Sequence, residues 1–163
     1  MEILIYRKEY EQGVIDLILP IQQAEFAVPV TIADQPDLQN VKGFYQQGKG
    51  NFWIAVDDNK VIGTIALIDI GNRQVALRKM FVDVHYRGKT FGVAQRLMET
   101  VIEWCKEEGI DEIYLGTINI MEAARKFYLK NGFVELAKEM LPASFPLMKV
   151  DNRFFKRTVD IRE

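Results

Sequence analysis

The segment 82–94 carries the residue types that hold a phosphate group. A predicted strand runs into a turn that contains Arg87, Gly88, Lys89 and Gly92, and an amphipathic helix begins directly afterwards. Free N–H groups at the start of a helix, together with the positive end of its dipole, attract anions. The glycines let phosphate oxygens approach the backbone, and the basic side chains add charge. The segment indicates a site for a phosphate-bearing ligand; the alternative is an ordinary strand-to-helix turn with a solvated basic pair.

Two common phosphate-binding motifs do not fit this segment. Gly88-Lys89-Thr90 ends like a P-loop, but that motif needs another glycine five residues before Gly88, where this chain has Asp83. The Asp83 carboxylate would also repel phosphate. A dinucleotide-binding fingerprint is excluded because the sequence contains no Gly-x-Gly-x-x-Gly. A P-loop nucleotide-binding module is therefore the less favoured alternative.

The composition places these residues in a single domain spanning 1–163. The chain has 163 residues, of which 48% are hydrophobic and 27% charged, with a net charge of −2; these values are typical of one soluble globular domain. A non-specific nucleic-acid binder would carry a basic excess, and a membrane span needs about 20 apolar residues in succession. The sequence therefore predicts neither a nucleic-acid partner nor a membrane partner, and it allows a homodimer without requiring one.

The single cysteine and the single histidine limit the chemistry further. Cys105 has no partner for an intramolecular disulfide, and His85 cannot form a cluster of histidine ligands, so no metal site is predicted. Cys105 falls on the apolar stripe of its helix and is expected to be a buried thiol. Because no signal peptide is apparent at the N-terminus, we expect a cytoplasmic protein.

Changes in hydrophobic period predict the element order β-α-α-β-β-β-α-β-α-β-β. Helices are predicted over 10–26 (ended or bent by Pro20), 34–45, 93–105 and 121–130, and extended segments over 3–5, 52–56, 61–68, 75–84, 112–116, 133–136, 147–150 and 153–159. Antiparallel hairpins come first and a β-α-β crossover follows, which predicts a mixed, mostly antiparallel sheet. The expected class is α+β with three α/β/α layers.

The chain resembles the GNAT superfamily of N-acetyltransferases. The coenzyme A signature of that family is Arg or Gln, two residues, Gly, one residue, then Gly or Ala; Arg87 and Gly92 match it, and Thr90 stands at the inner glycine. The segment 124–133, Ala-Arg-Lys-Phe-Tyr-Leu-Lys-Asn-Gly-Phe, matches a second signature of the family. The two signatures have the right order and separation, and the element order also resembles the GNAT acyl-CoA N-acyltransferase fold over residues 3–159.

The resemblance implies that acetyl-CoA is the co-substrate. Pantetheine would lie between the third hairpin strand and the strand after the crossover, pairing with the backbone near Phe81 and Val82. A backbone N–H there would hold the oxyanion of the tetrahedral intermediate. The implied coenzyme-binding residues are Phe81, Val82, Arg87, Gly88, Lys89, Thr90, Phe91, Gly92, Val93 and Asn119.

Tyr128 resembles the general acid of the family, which donates a proton to the departing thiolate. On helical spacing alone, Tyr128 would be a core aromatic. His85 beside the phosphate loop is a weaker catalytic candidate, because a lone histidine at a turn is more often incidental. The base that removes the acceptor proton is not identified by the sequence. Four carboxylates flank the expected substrate entrance or the strand ends: Glu25, Asp34, Asp83 and Asp151.

The implied activity is transfer of acetyl from acetyl-CoA to a primary amine by direct attack in a ternary complex. The acceptor would be a small metabolite, an antibiotic amine or a peptide, and the sequence does not choose among them. Its entrance is expected between the segments 25–37 and 141–146, with Phe26 and Phe145 as apolar lining. The alternative is a non-catalytic acyl-CoA-binding or sensor domain of the same fold.

Overall fold

A seven-stranded sheet organises the chain in the computed structural model, which describes residues 1–25, 27–88, 90–118 and 122–160. The strands are β1 (Glu2–Ile5), β2 (Asn51–Asp57), β3 (Lys60–Gly71), β4 (Gln74–Val82), β5 (Glu112–Thr117), β6 (Val134–Leu136) and β7 (Arg153–Thr158). Their spatial order is β1-β2-β3-β4-β5-β7-β6. Within the described ranges, β4 and β5 form the one parallel pair, and the other neighbours are antiparallel. The predicted mixed sheet with a central crossover is confirmed.

Helices cover both faces of the sheet and complete the three predicted layers. They are α1 (Glu11–Pro20), α2 (Val41–Phe44), α3 (Val93–Glu107) and α4 (Glu122–Lys130). On one face, α1 and α2 pack over a core that includes Val14, Leu38 and Tyr45. On the other face, α3 buries its apolar stripe, including Leu97 and Cys105, against the central strands. In the described part of the chain, no helix has the length and apolar character that crossing a membrane requires.

The first helical region differs from its prediction in a way that matters for the site. The helix predicted over 10–26 ends as α1 at Pro20 and continues as a π-helical turn, Ile21–Glu25. Proline has no N–H to donate to the preceding turn, and π-helical turns are often found at functional sites. The turn brings Glu25 towards the loop that follows β4, as described below.

Two further predictions of local structure are corrected. The helix predicted over 34–45 is divided into two 3₁₀ turns, Ile32–Asp34 and Pro36–Gln39, followed by the short α2. α2 ends at Phe44, and that ring is 48% exposed. Residues 147–150, predicted to be extended, form no strand.

β4 and β5 separate after a short parallel ladder. Their pairing begins at Gln74 with Glu112 and ends at Ala76 with Tyr114, yet β4 continues to Val82 and β5 to Thr117. At about 3.3 Å per residue, the part of β4 beyond this ladder spans about 20 Å. We call this opening, between residues 77–82 of β4 and 115–117 of β5, the wedge.

Candidate active site

The chain leaves β4 through a tight turn that aims it into α3. The Asp83 carboxylate caps the 3₁₀ turn Val84–Tyr86 by accepting the His85 backbone N–H at 2.9 Å, and it lies 3.3 Å from Lys60 Nζ. The His85 side chain is exposed. The Asp83 carboxylate therefore has a structural role at this turn, where it binds the backbone of His85 and not its side chain.

The start of α3 has the open backbone that the phosphate prediction requires. Gly88 has a φ of +99°, and Gly92, the N-cap of α3, has a φ of +61°. Both values lie in the left-handed region, where glycine is favoured. As the N-cap residue, Gly92 has no side chain to cap this helix, and the first N–H groups of a helix have no intrahelical partner. Thr90 and Phe91 are exposed beside this terminus, whereas Val93 is buried under it.

Arg87 is held by two neighbours, Val82 and Glu25. Its Nε donates to the Val82 carbonyl oxygen at 2.9 Å, and its Nη2 donates to Glu25 Oε2 at 2.9 Å. Its Nη1 also pairs with Glu25 Oε1. The hydrogen bond from Arg87 lowers the pKa of Glu25 below its ordinary value, although partial burial opposes this shift. Glu25 is therefore committed to Arg87, and the pair joins the π-helical turn to the phosphate loop.

At the end of β4, the backbone N–H and C=O groups of successive residues point in opposite directions. Thr64 pairs with Phe81 and Gly63 with Val82, and the Asp83 N–H donates to the Ile62 oxygen at 2.8 Å. Hydrogen-bonded and non-hydrogen-bonded pairs alternate along an antiparallel ladder. The N–H and C=O groups of Phe81 therefore point to β3, whereas those of Val82 point away from it: the C=O accepts Arg87 Nε, and the N–H faces the wedge.

Tyr128 lies on the inner side of α4. Its ring centroid is 5.4 Å from that of Phe155 and 5.9 Å from those of Phe127 and Phe133. Burial raises the pKa of the phenol to about 12. Among the described residues, no hydrogen bond is made by its hydroxyl group. The ring packs as a core aromatic does, and the hydroxyl stays protonated at neutral pH and unpaired by those residues.

A polar cluster that the sequence analysis did not identify lies beneath β4. Lys79 Nζ is 2.5 Å from Gln35 Oε1 and 3.5 Å from Asp37 Oδ2. Asp37 also accepts the Tyr45 hydroxyl, and burial raises the pKa of that phenol. Burial lowers the pKa of Lys79, an effect that Asp37 opposes. The sequence feature that could have indicated this cluster is the pair of adjacent cations, Arg78 and Lys79, inside an otherwise apolar strand.

The remaining base candidates are distinguished by their partners. Asp34 and Thr31 form a capping box, in which the Thr31 N–H donates to the Asp34 carboxylate at 2.9 Å. Asp151 is partly buried, and burial raises the pKa of its carboxyl although Arg78 opposes the shift. Within the described ranges, no cation lies within 4.0 Å of Asp151. Of the four candidates, Asp151 has the environment of a proton acceptor.

The other predicted residues fall into three groups. Lys89, Asn119 and Phe26 lie outside the described residues. The prediction that Phe145 lines the entrance is wrong, because its ring is 8% exposed and packs against Phe154 at 6.4 Å. The prediction for Cys105 is confirmed: the thiol is fully buried, which raises its pKa to about 12.

A depression of about 510 Å³ on the outer face of α3 does not suit a phosphate-bearing ligand. It is lined by Trp53, Trp104, Thr100 and three glutamates, Glu99, Glu103 and Glu107. Carboxylates there would repel phosphate groups. In the described portion of the chain, no group of three or more His, Cys, Asp or Glu side chains is arranged to hold a metal ion.

Known proteins with a similar sequence or fold are acetyltransferases. The profile of the acetyltransferase (GNAT) family matches residues 15–133. An acetyltransferase of the GNAT family from Staphylococcus aureus Mu50 has a crystal structure that is 42% identical, with a TM-score of 0.91 over 98% of this chain and 99% of that one. An aminoglycoside 6′-N-acetyltransferase complexed with coenzyme A shares the fold, with a TM-score of 0.71 at 17% identity and 98% coverage of both chains.

Curated relatives match over shorter stretches. N-acetyltransferase 8F1 of Rattus norvegicus is 26% identical over 119 residues, covering 70% of this chain and 53% of its own length. N-acetylaspartate synthetase of Xenopus tropicalis is 38% identical over 101 residues, covering 60% of this chain and 36% of its own. This chain thus spans about half or less of these two relatives. The profile match, the Staphylococcus structure and the wedge agree, and the chain belongs to the GNAT acetyltransferase family.

Proposed function

We propose that this protein is an acetyl-CoA-dependent N-acetyltransferase that acetylates a primary amine by direct attack in a ternary complex. The observation that carries the proposal is the wedge, which opens beside the uncapped start of α3. A ligand with an extended amide chain and a pyrophosphate would use both features together. Coenzyme A has this combination.

The coenzyme would bind mainly through backbone groups. Its pyrophosphate would accept N–H groups at the start of α3, where Gly88 and Gly92 keep the approach open. Pantetheine would lie along the unpaired edge of β4 in the manner of an added strand. Arg87 would bind phosphate after release from Glu25, and Lys89 and Asn119 are proposed as further contacts. This use of the backbone accommodates Thr90 at the inner glycine of the signature, because threonine retains its N–H.

The reaction would then proceed at the sulfur end of the coenzyme. A neutral amine attacks the thioester carbonyl carbon, a C–N bond forms, and the C–S bond breaks. A backbone N–H on the open edge of β4, such as that of Val82, would stabilise the oxyanion. Tyr128 would donate a hydrogen bond from its hydroxyl group to the departing sulfur, and the proton that the nitrogen loses on becoming an amide would end on that sulfur, giving the free thiol of coenzyme A. No metal is required by this scheme.

The size of the Tyr128 contribution follows from acidity. A free thiol has a pKa of about 8.5, so a phenol with a pKa of about 12 is the weaker acid. The hydroxyl would therefore act chiefly as a hydrogen-bond donor to the sulfur anion. Hydrogen bonds to charged groups contribute about 1.5–3 kcal/mol, which corresponds to about 10- to 150-fold in rate.

Names of similar proteins point to several different acceptors. One curated relative is an N-acetylaspartate synthetase, and fold neighbours include an aminoglycoside acetyltransferase and a ribosomal-protein-alanine N-acetyltransferase. Those acceptors differ in size and charge, and they share only an amine. The proposal at this level is a primary amine acceptor.

Two measurements on the full chain test this function. Coenzyme A at a hundredfold excess over its Kd should stabilise the protein by about 2.7 kcal/mol, whereas ATP with magnesium should not. Acetyl-CoA mixed with a panel of primary amines should then release thiol in an amine-dependent way. Stabilisation by ATP in place of coenzyme A would support a nucleotide-binding module. Coenzyme binding without thiol release for any amine would support the non-catalytic acyl-CoA-binding domain.

A further inference from the structure

A β-bulge places two cations side by side on one face of β4. Thr64 of β3 pairs with Phe81, and Ala66 pairs with Arg78, so β4 contains one residue more than β3 between these pairs. Lys79 takes the extra position with a φ of +54°, and its carbonyl oxygen accepts the Thr64 hydroxyl at 2.7 Å. Side chains normally alternate between faces, but the bulge directs Arg78 and Lys79 to the same face. It is the face covered by α1, α2 and the segment 141–152.

Arg78 and Lys79 differ in the hydrogen-bond and ion-pair partners that the protein provides. Lys79 is occupied by Gln35 and Asp37. Arg78 is partly buried, and its guanidinium contacts the Met148 sulfur at 3.5 Å. A guanidinium has five N–H donors arranged to bind a carboxylate, and a thioether sulfur is a weak acceptor. In the ranges that the structure describes, no carboxylate oxygen lies within 4.0 Å of Arg78. Its guanidinium is therefore available to bind the carboxylate of a ligand.

Asp151 is the opposite charge on the other side of the wedge. Its Oδ2 lies 2.7 Å from the point where a Cβ on Gly116 would stand, so only glycine at the end of β5 allows this approach. The segment is fixed there by the Asn152 N–H, which donates to the Thr117 oxygen at 3.0 Å. Arg78 is near enough for its charge to act on the Asp151 carboxyl, yet the two do not pair within 4.0 Å.

We infer that the acceptor is a free amino acid, whose carboxylate binds Arg78 and whose amino group is received by Asp151. This inference rests on the proposed acetyltransferase function and names its substrate class. The two side chains are oppositely charged, partly buried and separated, and they flank the wedge on one face. A ligand that carries a carboxylate and an amino group on neighbouring atoms would pair with Arg78 and Asp151 at once. An amine without a carboxylate would leave the Arg78 guanidinium partly buried and unpaired, which is costly.

The same geometry supplies the proton step that precedes transfer. The ammonium group of the amino acid gives one proton to the Asp151 carboxylate and becomes a neutral amine. The nitrogen lone pair then forms the C–N bond as the C–S bond breaks, and the second proton ends on the sulfur. Asp151 returns its proton to solvent when the product leaves. Partial burial favours the protonated carboxyl and so helps Asp151 to accept a proton.

The test compares matched acceptors with the full chain and saturating acetyl-CoA. Free L-amino acids of acidic, neutral and basic type are each assayed beside their carboxamides, which keep the amine and side chain but lose the carboxylate. We expect at least one free acid to exceed its carboxamide at least tenfold in kcat/KM. Arg78→Gln should lower kcat/KM for that acid at least thirtyfold and leave its carboxamide within threefold. Arg78→Lys should restore part of the loss.

Asp151→Asn and a control variant separate the second contact from general damage. Asp151→Asn should reduce turnover of both acceptor types at least tenfold while coenzyme affinity and melting temperature are maintained. Arg73→Gln removes an exposed cation from the turn that precedes β4, and it should leave the turnover of both acceptor types unchanged.

The outcomes distinguish this inference from the function on which it rests. Equal use of free acids and carboxamides, or an Arg78→Gln variant that keeps its preference, would overturn the amino-acid assignment while the acetyltransferase function stands. Unchanged turnover in Asp151→Asn would overturn the role of Asp151. Failure to acetylate any amine, with coenzyme binding intact, would overturn the function and this inference together.

Discussion

The proposed coenzyme side of the wedge is formed by the neighbouring segments 82–88 and 90–93, followed later by α4, whereas the proposed acceptor side is assembled from three separated parts of the chain. Those parts are 21–45, the bulge of β4, and 141–152. On the proposed coenzyme side, recognition would depend on open N–H groups and glycine conformations. On the proposed acceptor side, it would depend on charged side chains held apart by packing.

The two sides also carry their charges differently. Arg87 and Glu25 form an exposed pair with side-chain exposures of 38% each, whereas Lys79 and Asp37 are 9% and 13% exposed. Exposed ion pairs contribute about 0–1 kcal/mol, but removal of one partner from a buried pair costs about 3–5 kcal/mol. Substitutions of charged residues on the coenzyme side should therefore change the free energy of unfolding little, whereas substitutions on the acceptor side should lower it.

The sharpest way to break the coenzyme side is a charge at the start of α3. Gly92→Asp places a carboxylate where the pyrophosphate would bind, and at 4 Å two like charges repel by about 4 kcal/mol in an effective dielectric of 20. Coenzyme affinity, measured by calorimetric titration, should fall about a thousandfold. Aspartate is one of the residues that adopt the left-handed conformation of Gly92 more readily than most, so folding should survive.

The matched control for that variant is Gly92→Asn. Asparagine has the same shape, tolerates the left-handed conformation, and carries no charge. It should keep coenzyme affinity within about tenfold of the natural protein. Equal losses in both variants would show that space, and not phosphate charge, governs this position.

The acceptor side is best broken at Lys79. Lys79→Ala leaves the Asp37 carboxylate buried beside the Tyr45 hydroxyl without its cation, and we expect a loss of about 3 kcal/mol in the free energy of unfolding. Urea denaturation measures this directly. The double variant Lys79→Ala, Asp37→Ala removes both charges and should recover much of the loss. A single variant as stable as the natural protein would contradict the account of the cluster.

Tyr128→Phe separates packing from chemistry on α4. The ring contacts with Phe155 and its neighbours remain, and the hydroxyl makes no hydrogen bond to described residues, so the free energy of unfolding should change by less than about 1 kcal/mol. Single-turnover acetyl transfer should slow by about 10- to 150-fold, with coenzyme affinity unchanged. A folded variant with the natural rate would make Tyr128 a packing residue only.

The smallest effect is expected where the two sides meet. Glu25→Gln frees Arg87 to bind phosphate, and since the pair is exposed, coenzyme affinity should rise by no more than about fivefold. In an Arg87→Met background, Glu25→Gln should have no effect on affinity. Weaker coenzyme binding in the single variant would indicate that the pair supports the loop instead of competing with phosphate.

Residues adjacent in the chain made the coenzyme side predictable from the sequence. Gly88, Gly92 and the helix they precede follow one another, so turn chemistry and helix periodicity locate them together. The bulge at Lys79 has no such local signal, because an extra residue in β4 becomes evident only from its register with Thr64 and Ala66. Asp151 was one of four equivalent carboxylates until the partners of Glu25, Asp34 and Asp83 were known.

Failures of prediction have the same physical origin. Phe145 was expected to be part of the apolar lining of the entrance, but packing against Phe154 buries it. The helix expected over 34–45 is broken into 3₁₀ turns and the short α2, which ends at Phe44. Periodicity describes one element at a time, whereas these outcomes depend on contacts between distant segments.

Amide hydrogen exchange of the full chain, with and without saturating coenzyme A, tests most directly where the coenzyme binds. We predict that coenzyme A increases protection in the segments 80–88 and 90–95, along the wedge and the start of α3. Protection should be unchanged over 99–107, the acidic outer face of α3, where the depression of about 510 Å³ lies. Protection confined to 99–107, or none in 80–95 when coenzyme is bound, would contradict the placement of acetyl-CoA in the wedge.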